Sequence, residues 1–185
     1  MIVRIPTPAL VVLCGPAGSG KSTFAHRHFP DTSIVSSDRC RAMIADDEAN
    51  IRVSRAAFEL FHQIIELRLR HRHLHLTVAD STAVRPEARK TLLHIAQKCE
   101  VPTVVIMFDI AEATCLHRDE GRSRRVGRAV IHRQWEAFQQ ALRRVPTEGF
   151  GEVVVLGEDD LRRAHVEILE ASGRRGIRGK GVRSH

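Results

Sequence analysis

Short apolar runs alternate with longer amphipathic stretches along most of this chain. The apolar runs predict five buried β-strands, at residues 10–14, 33–36, 74–79, 103–108 and 152–156. Apolar residues spaced three or four positions apart predict helices at residues 21–29, 54–73, 86–99, 112–120, 128–145 and 158–172. Because strands and helices alternate, we expect an α/β fold with a parallel sheet of about five strands and helices on both faces.

Two of the predicted helices carry aromatic residues on a single apolar face. The first face contains Phe58, Phe61, Ile65 and Leu69, and the second contains Val130, Ile131, Trp135, Phe138 and Leu142. Such spacing is typical of a helix face that packs on a core. We therefore interpret these aromatics as core residues rather than as ligand-stacking residues.

A glycine-rich segment lies between the first predicted strand and the first predicted helix. It reads GPAGSGKST and consists of Gly15, Pro16, Ala17, Gly18, Ser19, Gly20, Lys21, Ser22 and Thr23. The pattern GxxxxGK[ST] in this setting is a phosphate-binding loop. Its backbone N–H groups and the following helix bind phosphates, the lysine reaches the β- and γ-phosphates, and the Ser22 hydroxyl binds Mg²⁺. The sequence therefore predicts binding of ATP or another NTP together with Mg²⁺.

Carboxylates follow the second and third predicted strands, where ligands of parallel α/β sheets usually bind. Asp38 follows the second strand in the segment SSDRCR and could accept a proton from an attacking hydroxyl. Arg41, one helical turn on, could hold an anionic part of the acceptor. Asp80 follows the third strand in VADST and could hold Mg²⁺ through water or orient a catalytic arginine. The structural alternatives are a helix N-cap for Asp38 and a turn or cap for Asp80.

A cluster of arginines follows the fourth predicted strand. Its members are Arg118, Arg122 and Arg125, with Arg124 and Arg128 nearby. The spacing of the first three predicts one face of a helix, where like charges repel unless a polyanion neutralises them. We therefore predict an arginine-rich lid over the nucleotide phosphates, bracketed by Gly121 and Gly127. The alternative is a solvated basic face. The acidic triplet at residues 46–48 is interpreted as a solvated helix start or loop.

Composition narrows the class of protein. The formal net charge is +7 and the calculated pI is near 10.0, which allows a nucleic-acid partner without requiring one. The chain has no Tyr and one Trp, so no aromatic platform for single strands is evident. The four cysteines are scattered, which indicates reduced thiols. We expect a cytoplasmic protein without a signal peptide or a membrane span.

Taken together, these motifs resemble the polynucleotide 5′-kinase family, and most closely the kinase module of bacterial polynucleotide kinase–phosphatase RNA-repair enzymes. The resemblance covers about residues 10–173 and rests on GPAGSGKST, VSSDRCR, DDE, VADST, RPEARK and the RxxxRxxR arginines, in that order. It implies one P-loop kinase domain at residues 1–172. Residues 173–185, rich in Gly and Arg, are expected to form a basic disordered tail.

The resemblance also implies roles for individual residues. Lys21 and Ser22 would bind donor phosphates and Mg²⁺, and Asp38 would be the general base on a 5′-OH. Arg41 would contact the phosphate on the 3′ side of the terminal nucleoside, and Asp80 would organise acceptor or metal. The arginines that would clamp the donor are Arg118, Arg122 and Arg125. The implied reaction moves the γ-phosphate of an NTP to a 5′-OH end of single-stranded or nicked RNA or DNA.

The chain departs from that family in two respects. The family usually has Asn after the third-strand Asp-x-Thr, whereas this chain has Ala83. The multidomain repair enzymes continue into phosphatase and end-sealing domains, so a repair pathway would need separate phosphatase and ligase partners here. Two other hypotheses stay open. One is a kinase of the same fold that acts on a sugar, nucleoside or antibiotic hydroxyl, and the other is a non-catalytic nucleotide-dependent switch.

Overall fold

The computed structural model of the protein describes residues 1–71, 76–122 and 124–170. The strands in this part of the chain are β1 Ile2–Thr7, β2 Ala9–Cys14, β3 Ile34–Ser36, β4 Leu76–Asp80, β5 Thr103–Phe108, β6 Glu152–Leu156 and β7 His165–Glu170. The helices are α1 Lys21–His28, α2 Ser37–Ala45, α3 Ser54–Arg70, α4 Pro86–Lys98, α5 Glu112–Glu120, α6 Arg128–Arg144 and α7 Glu158–Arg163. Short 3₁₀ turns lie at Asp31–Ser33, Ile51–Val53 and Val145–Thr147.

Five strands form the central sheet, in the order β3-β4-β2-β5-β6, and every neighbouring pair is parallel. Strand β2 lies in the middle, with Leu10 opposite Thr77 of β4 and opposite Thr103 of β5. All residues of β2 and β5 are buried, as expected when helices cover both faces. This architecture confirms the predicted α/β fold with a parallel sheet of five strands.

Alternate residues of β2 face two separate cores. Leu10, Val12 and Cys14 join one core with Phe61 of α3 and Phe138 of α6. The intervening residues of β2 join a second core that includes Phe24 of α1, Phe108 of β5 and Ile131 of α6. The alternation follows from the two-residue period of a strand. The aromatics Phe61 and Phe138 are fully buried, which confirms that they are core residues.

A second, two-stranded sheet was not predicted. Strands β1 and β7 pair in parallel, with Ile2 opposite His165 and Thr7 opposite Glu170. The predicted helix at 158–172 is therefore wrong beyond Arg163, where α7 ends. The following residues alternate polar and β-branched side chains, with Val166 packed on the second core, and this pattern favours a strand. Residues 171 and 172 of that predicted helix lie outside the described part of the chain.

Other differences concern element ends. Helix α2 was anticipated only as a possible short helix after Asp38, and it runs from Ser37 to Ala45 with the Ser36 hydroxyl accepting from the Arg39 N–H at 3.4 Å. Helix α3 ends at Arg70, and positions 72–75 of the predicted helix and strand lie outside the described residues. The predicted tail at 173–185 also lies outside them. None of the described helices has the length and apolar character needed to cross a bilayer.

Candidate active site

The phosphate-binding loop connects β2 to α1 as predicted, and its glycines adopt conformations that other residues avoid. Gly18 has φ 81° and Gly20 has φ 95°, both in the left-handed region. A Cβ atom on Gly18 would lie 2.4 Å from the carbonyl oxygen of Cys115, on α5. This close packing holds the loop against α5 and requires glycine at position 18.

Replacing Gly18 by Ala is expected to weaken ADP binding at least tenfold. The left-handed conformation alone costs a non-glycine residue about 1–3 kcal/mol, and the clash with Cys115 would also displace the loop. Gly149→Ala is a matched control, because Gly149 has φ 97° but open space where a Cβ atom would lie. Calorimetric titration with ADP would test this: equal affinities for the two variants would contradict it.

Lys21 is buried within the loop that it serves. Its side chain is 8% exposed, and Nζ donates to the Pro16 carbonyl at 2.7 Å and to Ser19 Oγ at 3.3 Å. Burial lowers the pKa of the Lys21 ammonium, while the Asp80 carboxylate opposes this shift and Arg122 adds to it. An anion placed at the loop would stabilise the ammonium, so the site is suited to phosphate.

Asp80 ends β4 next to the loop and is 6% exposed. Burial raises the pKa of Asp80, whereas a hydrogen bond with the Ser22 side chain and the charge of Lys21 lower it. The Asp38 carboxylate raises it further, so the two carboxylates lie near enough to interact, as expected because Ser36 of β3 lies opposite Asp80 of β4. The structure therefore brings the two predicted strand-end carboxylates and the phosphate-binding lysine together.

Helix α2 carries Asp38 and Arg41 one turn apart, and the two side chains are paired. Arg41 Nη1 donates to Asp38 Oδ1 at 2.6 Å and to the Glu48 carbonyl at 2.8 Å. The Arg41 side chain is 10% exposed, while that of Asp38 is 53% exposed and so is open to an incoming group. Asp38 does not cap the helix, because Ser36 occupies that position.

The arginine cluster does not form one helical face. Arg118 lies on α5 and donates from Nη1 to the Gly18 carbonyl at 3.3 Å, but α5 ends at Glu120, before Arg122 and Arg125. The prediction of a single face is therefore wrong. The buried carboxylate of Asp119 accepts from the Val126 and Gly127 N–H groups at 2.9 and 3.0 Å. These hydrogen bonds fold the chain back on the last turn of α5. Residues 118–122 and 124–127 are called the lid below.

Arg124 of the lid reaches α2 rather than the phosphate loop. Its Nη1 lies 3.6 Å from Asp38 Oδ2 and 3.3 Å from Glu48 Oε1. Glu48, interpreted from the sequence as part of a solvated loop, thus contacts Arg41 through its carbonyl and Arg124 through its carboxylate. Sequence reasoning missed this contact, because nothing in the local pattern separates Arg124 from its neighbours.

Gln134 of α6 is a second residue that sequence reasoning missed. Its Oε1 accepts from the Ala17 N–H of the phosphate loop at 2.8 Å. The loop N–H groups are the donors expected to bind phosphate. Gln134 therefore occupies an acceptor position that a nucleotide oxygen could take, and it joins α6 to the loop.

A comparison with protein families shows the family to which the chain belongs. The family described as AAA domain matches residues 10–145, which contain the phosphate loop, Asp38, Asp80 and all three predicted lid arginines. The chain belongs to the AAA domain family. The AAA domain match ends where α6 ends, so β6, α7 and β7 lie outside it. No curated protein matches the chain in sequence.

Several solved structures share the fold of this AAA domain protein. The Pnkp1/Rnl/Hen1 RNA repair complex matches with TM-score 0.63 and 18% identity over 76% of this chain and 47% of that chain. The structure of AvrRxo1-ORF1:-ORF2 with ATP matches with TM-score 0.59 and 16% identity over 81% of this chain and 54% of that chain. A gluconokinase from Sinorhizobium meliloti 1021 matches with TM-score 0.51 and 18% identity over 84% of this chain and 86% of that chain. At such identities the likeness shows the fold alone, which is that of a P-loop kinase.

Proposed function

We propose that the protein is a polynucleotide 5′-hydroxyl kinase, which transfers the γ-phosphate of ATP to a 5′-OH end of RNA or DNA. The observation that carries the proposal is the Asp38–Arg41 pair, in which a half-exposed carboxylate and a buried guanidinium lie beside the phosphate-binding loop. A carboxylate there suits an alcohol acceptor, and a guanidinium suits a phosphate of the same acceptor. A structural neighbour in an RNA repair complex supports the same assignment.

The donor side consists of the phosphate loop and the lid. Lys21 binds the β- and γ-phosphates of ATP or another NTP, and the loop N–H groups bind the remaining oxygens. Arg118, Arg122 and Arg125 stabilise the charge that spreads over the transferring phosphoryl group. Arg118 already contacts the loop carbonyl of Gly18, and Arg122 lies near enough to lower the pKa of Lys21.

Ser22 and Asp80 are the residues that would hold Mg²⁺. The Ser22 side chain is near enough to lower the pKa of Asp80, and both residues offer the oxygen ligands that Mg²⁺ prefers. Among residues 1–71, 76–122 and 124–170 no group of three His, Cys, Asp or Glu side chains could hold a metal alone. Mg²⁺ is usually bound in kinases by one or two carboxylates together with substrate phosphates. When bound, it neutralises charge on the phosphates.

The acceptor side consists of Asp38 and Arg41. Asp38 accepts the proton of the 5′-OH while the 5′ oxygen of the acceptor forms a bond to the γ-phosphorus. The bond from that phosphorus to the β–γ bridging oxygen breaks, and ADP leaves. Arg41 binds the phosphate on the 3′ side of the terminal nucleoside.

Replacing Asp80 by Asn is expected to raise the Mg²⁺ concentration for half-maximal transfer about 10–100-fold. The amide keeps the size of the side chain but removes the charge that attracts the cation. Because burial raises the pKa of Asp80, the wild-type Mg²⁺ requirement should increase as the pH falls toward that pKa, and the variant should lose this dependence. Mg²⁺ titrations at several pH values test both effects, with the exposed Asp31→Asn as control. An unchanged Mg²⁺ requirement would remove Asp80 from the site.

Transfer of labelled γ-phosphate from ATP·Mg²⁺ to a short single-stranded oligonucleotide tests the proposed function. RNA and DNA with a 5′-OH should both be tried, with 5′-phosphorylated strands as controls. Label on the 5′-OH strand alone supports the proposal. ADP binding without label on any strand contradicts it.

A small-molecule kinase is the second candidate. The gluconokinase likeness covers 86% of that chain, so the two proteins are of similar size. A panel of sugars, nucleosides and aminoglycosides in the same assay distinguishes the candidates, because a small-molecule kinase would transfer label to one of them and not to the oligonucleotide.

A further inference from the structure

An ion pair crosses the crevice between the lid and the segment after α2. Arg124 Nη1 of the lid lies 3.3 Å from Glu48 Oε1 and 3.6 Å from Asp38 Oδ2. The side chains are 32% exposed for Arg124 and 56% exposed for Glu48, so the pair lies at the open rim of the site. The lid is therefore connected to the proposed acceptor residues, and not only to the donor loop.

Arg41 lies just inside this rim and has unused binding capacity. Its side chain is 10% exposed, and Nη1 is occupied by Asp38 and by the Glu48 carbonyl. Its buried Nε has no hydrogen-bond partner among the described residues. An unpartnered N–H on a buried guanidinium is costly. The guanidinium groups of Arg41 and Arg124 thus both approach the Asp38 carboxylate. The Glu48 carboxylate is the second anion that Arg124 contacts.

We infer that the Glu48 carboxylate is a built-in substitute for an acceptor phosphate, and that Arg124 binds that phosphate once Glu48 is displaced. This inference rests on the proposed function and adds Arg124 to the residues that bind the acceptor. The preferred acceptor carries a phosphodiester or phosphate on the 3′ side of the nucleoside whose 5′-OH is phosphorylated. A neutral alcohol has no group that can replace Glu48, so it leaves Arg124 paired with the protein.

The energetics favour such an exchange. An ion pair between partly exposed groups stabilises a protein only slightly, so its loss costs little. Two arginines that bind one phosphate gain charge-assisted hydrogen bonds with a matching planar geometry.

The test compares two acceptors that differ in one phosphate. A dinucleoside monophosphate with a free 5′-OH carries the 3′-side phosphate, and the corresponding nucleoside lacks it. Arg124→Ala is expected to raise the KM of the dinucleotide roughly tenfold with a much smaller change in kcat, and to raise the KM of the nucleoside much less than that of the dinucleotide. Glu48→Gln is expected to lower the KM of the dinucleotide severalfold, since the competing charge is removed. Arg143→Ala, an exposed arginine at the far end of α6, controls for net charge.

The outcomes separate the inference from the proposed function. Transfer to the dinucleotide with the same KM in all variants overturns the inference alone, as does an Arg124→Ala effect confined to the KM of ATP. No transfer to any strand overturns the proposed function. In that case, binding of a labelled dinucleotide in the presence of ADP decides the inference: weaker binding by Arg124→Ala and tighter binding by Glu48→Gln support it, and equal binding overturns it.

Discussion

Replacing Asp38 by Asn is expected to reduce the rate of phosphoryl transfer about 100- to 10,000-fold, the range typical of losing a general base. The amide has nearly the same shape and can still accept a hydrogen bond from Arg41, now 2.6 Å from the carboxylate oxygen. It cannot take the proton of the attacking hydroxyl. The donor loop is untouched, so ADP affinity should stay within about twofold of the wild type.

Single-turnover transfer to a 5′-OH oligonucleotide measures the chemical step directly. Asp31→Asn is a matched control, because Asp31 is exposed and forms an ion pair with the exposed His26, on the surface of the molecule. A variant of Asp38 with wild-type single-turnover rate would show that the base is another group. A loss of ADP affinity as large as the loss of rate would show that the substitution disturbs the donor site instead.

The donor half of the site could be predicted from sequence because its chemistry is local. The loop, its lysine and the serine proposed to bind Mg²⁺ are consecutive residues, and the strand before them and the helix after them have strong patterns. Asp38 and Asp80 could be predicted for a related reason. Carboxyl ends of parallel strands meet at one edge of a sheet, so residues that follow two such strands converge.

The missed features depend on contacts between distant parts of the chain. Gln134 accepts from the Ala17 N–H across 117 positions, and α6 offers no sign that this polar residue differs from others on the helix. Strand β1 pairs with β7 at the other end of the described chain, so neither strand has a partner close in sequence. The spacing of Arg118, Arg122 and Arg125 predicted one helical face, because it does not reveal that the Asp119 carboxylate accepts from the Val126 and Gly127 N–H groups and folds the chain back.

Replacing Arg89 by Met is expected to destabilise the fold by about 3–5 kcal/mol, the usual cost of breaking a buried ion pair on one side. Arg89 of α4 has no exposed surface, and Nε and Nη2 each donate to Glu148 at 2.6 Å. The variant would leave the Glu148 carboxylate buried without its partner. It would also free the carbonyls of Ala83 and Val84, which accept from Arg89 Nη1 at 2.8 and 2.9 Å.

These carbonyls belong to the loop that supports the active site. Ala83 has φ 45°, an unfavourable conformation for alanine, and the neighbouring Thr82 carbonyl accepts from the Gly15 N–H at 2.9 Å. Loss of Arg89 would release this strained loop and remove a fixed support of the phosphate loop. A weaker affinity for ADP is therefore expected in addition to the lower stability.

Urea unfolding of Arg89→Met, Glu148→Met and the double variant measures the contribution of the pair. The double variant is expected to be more stable than either single variant, because it leaves no unpaired buried charge. Lys90→Met, at the exposed neighbouring position, should change the free energy of unfolding by less than about 0.5 kcal/mol. Additive effects of the two single substitutions would mean that the pair is not the origin of the loss. In that case the Ala83 and Val84 carbonyls would be what Arg89 chiefly stabilises.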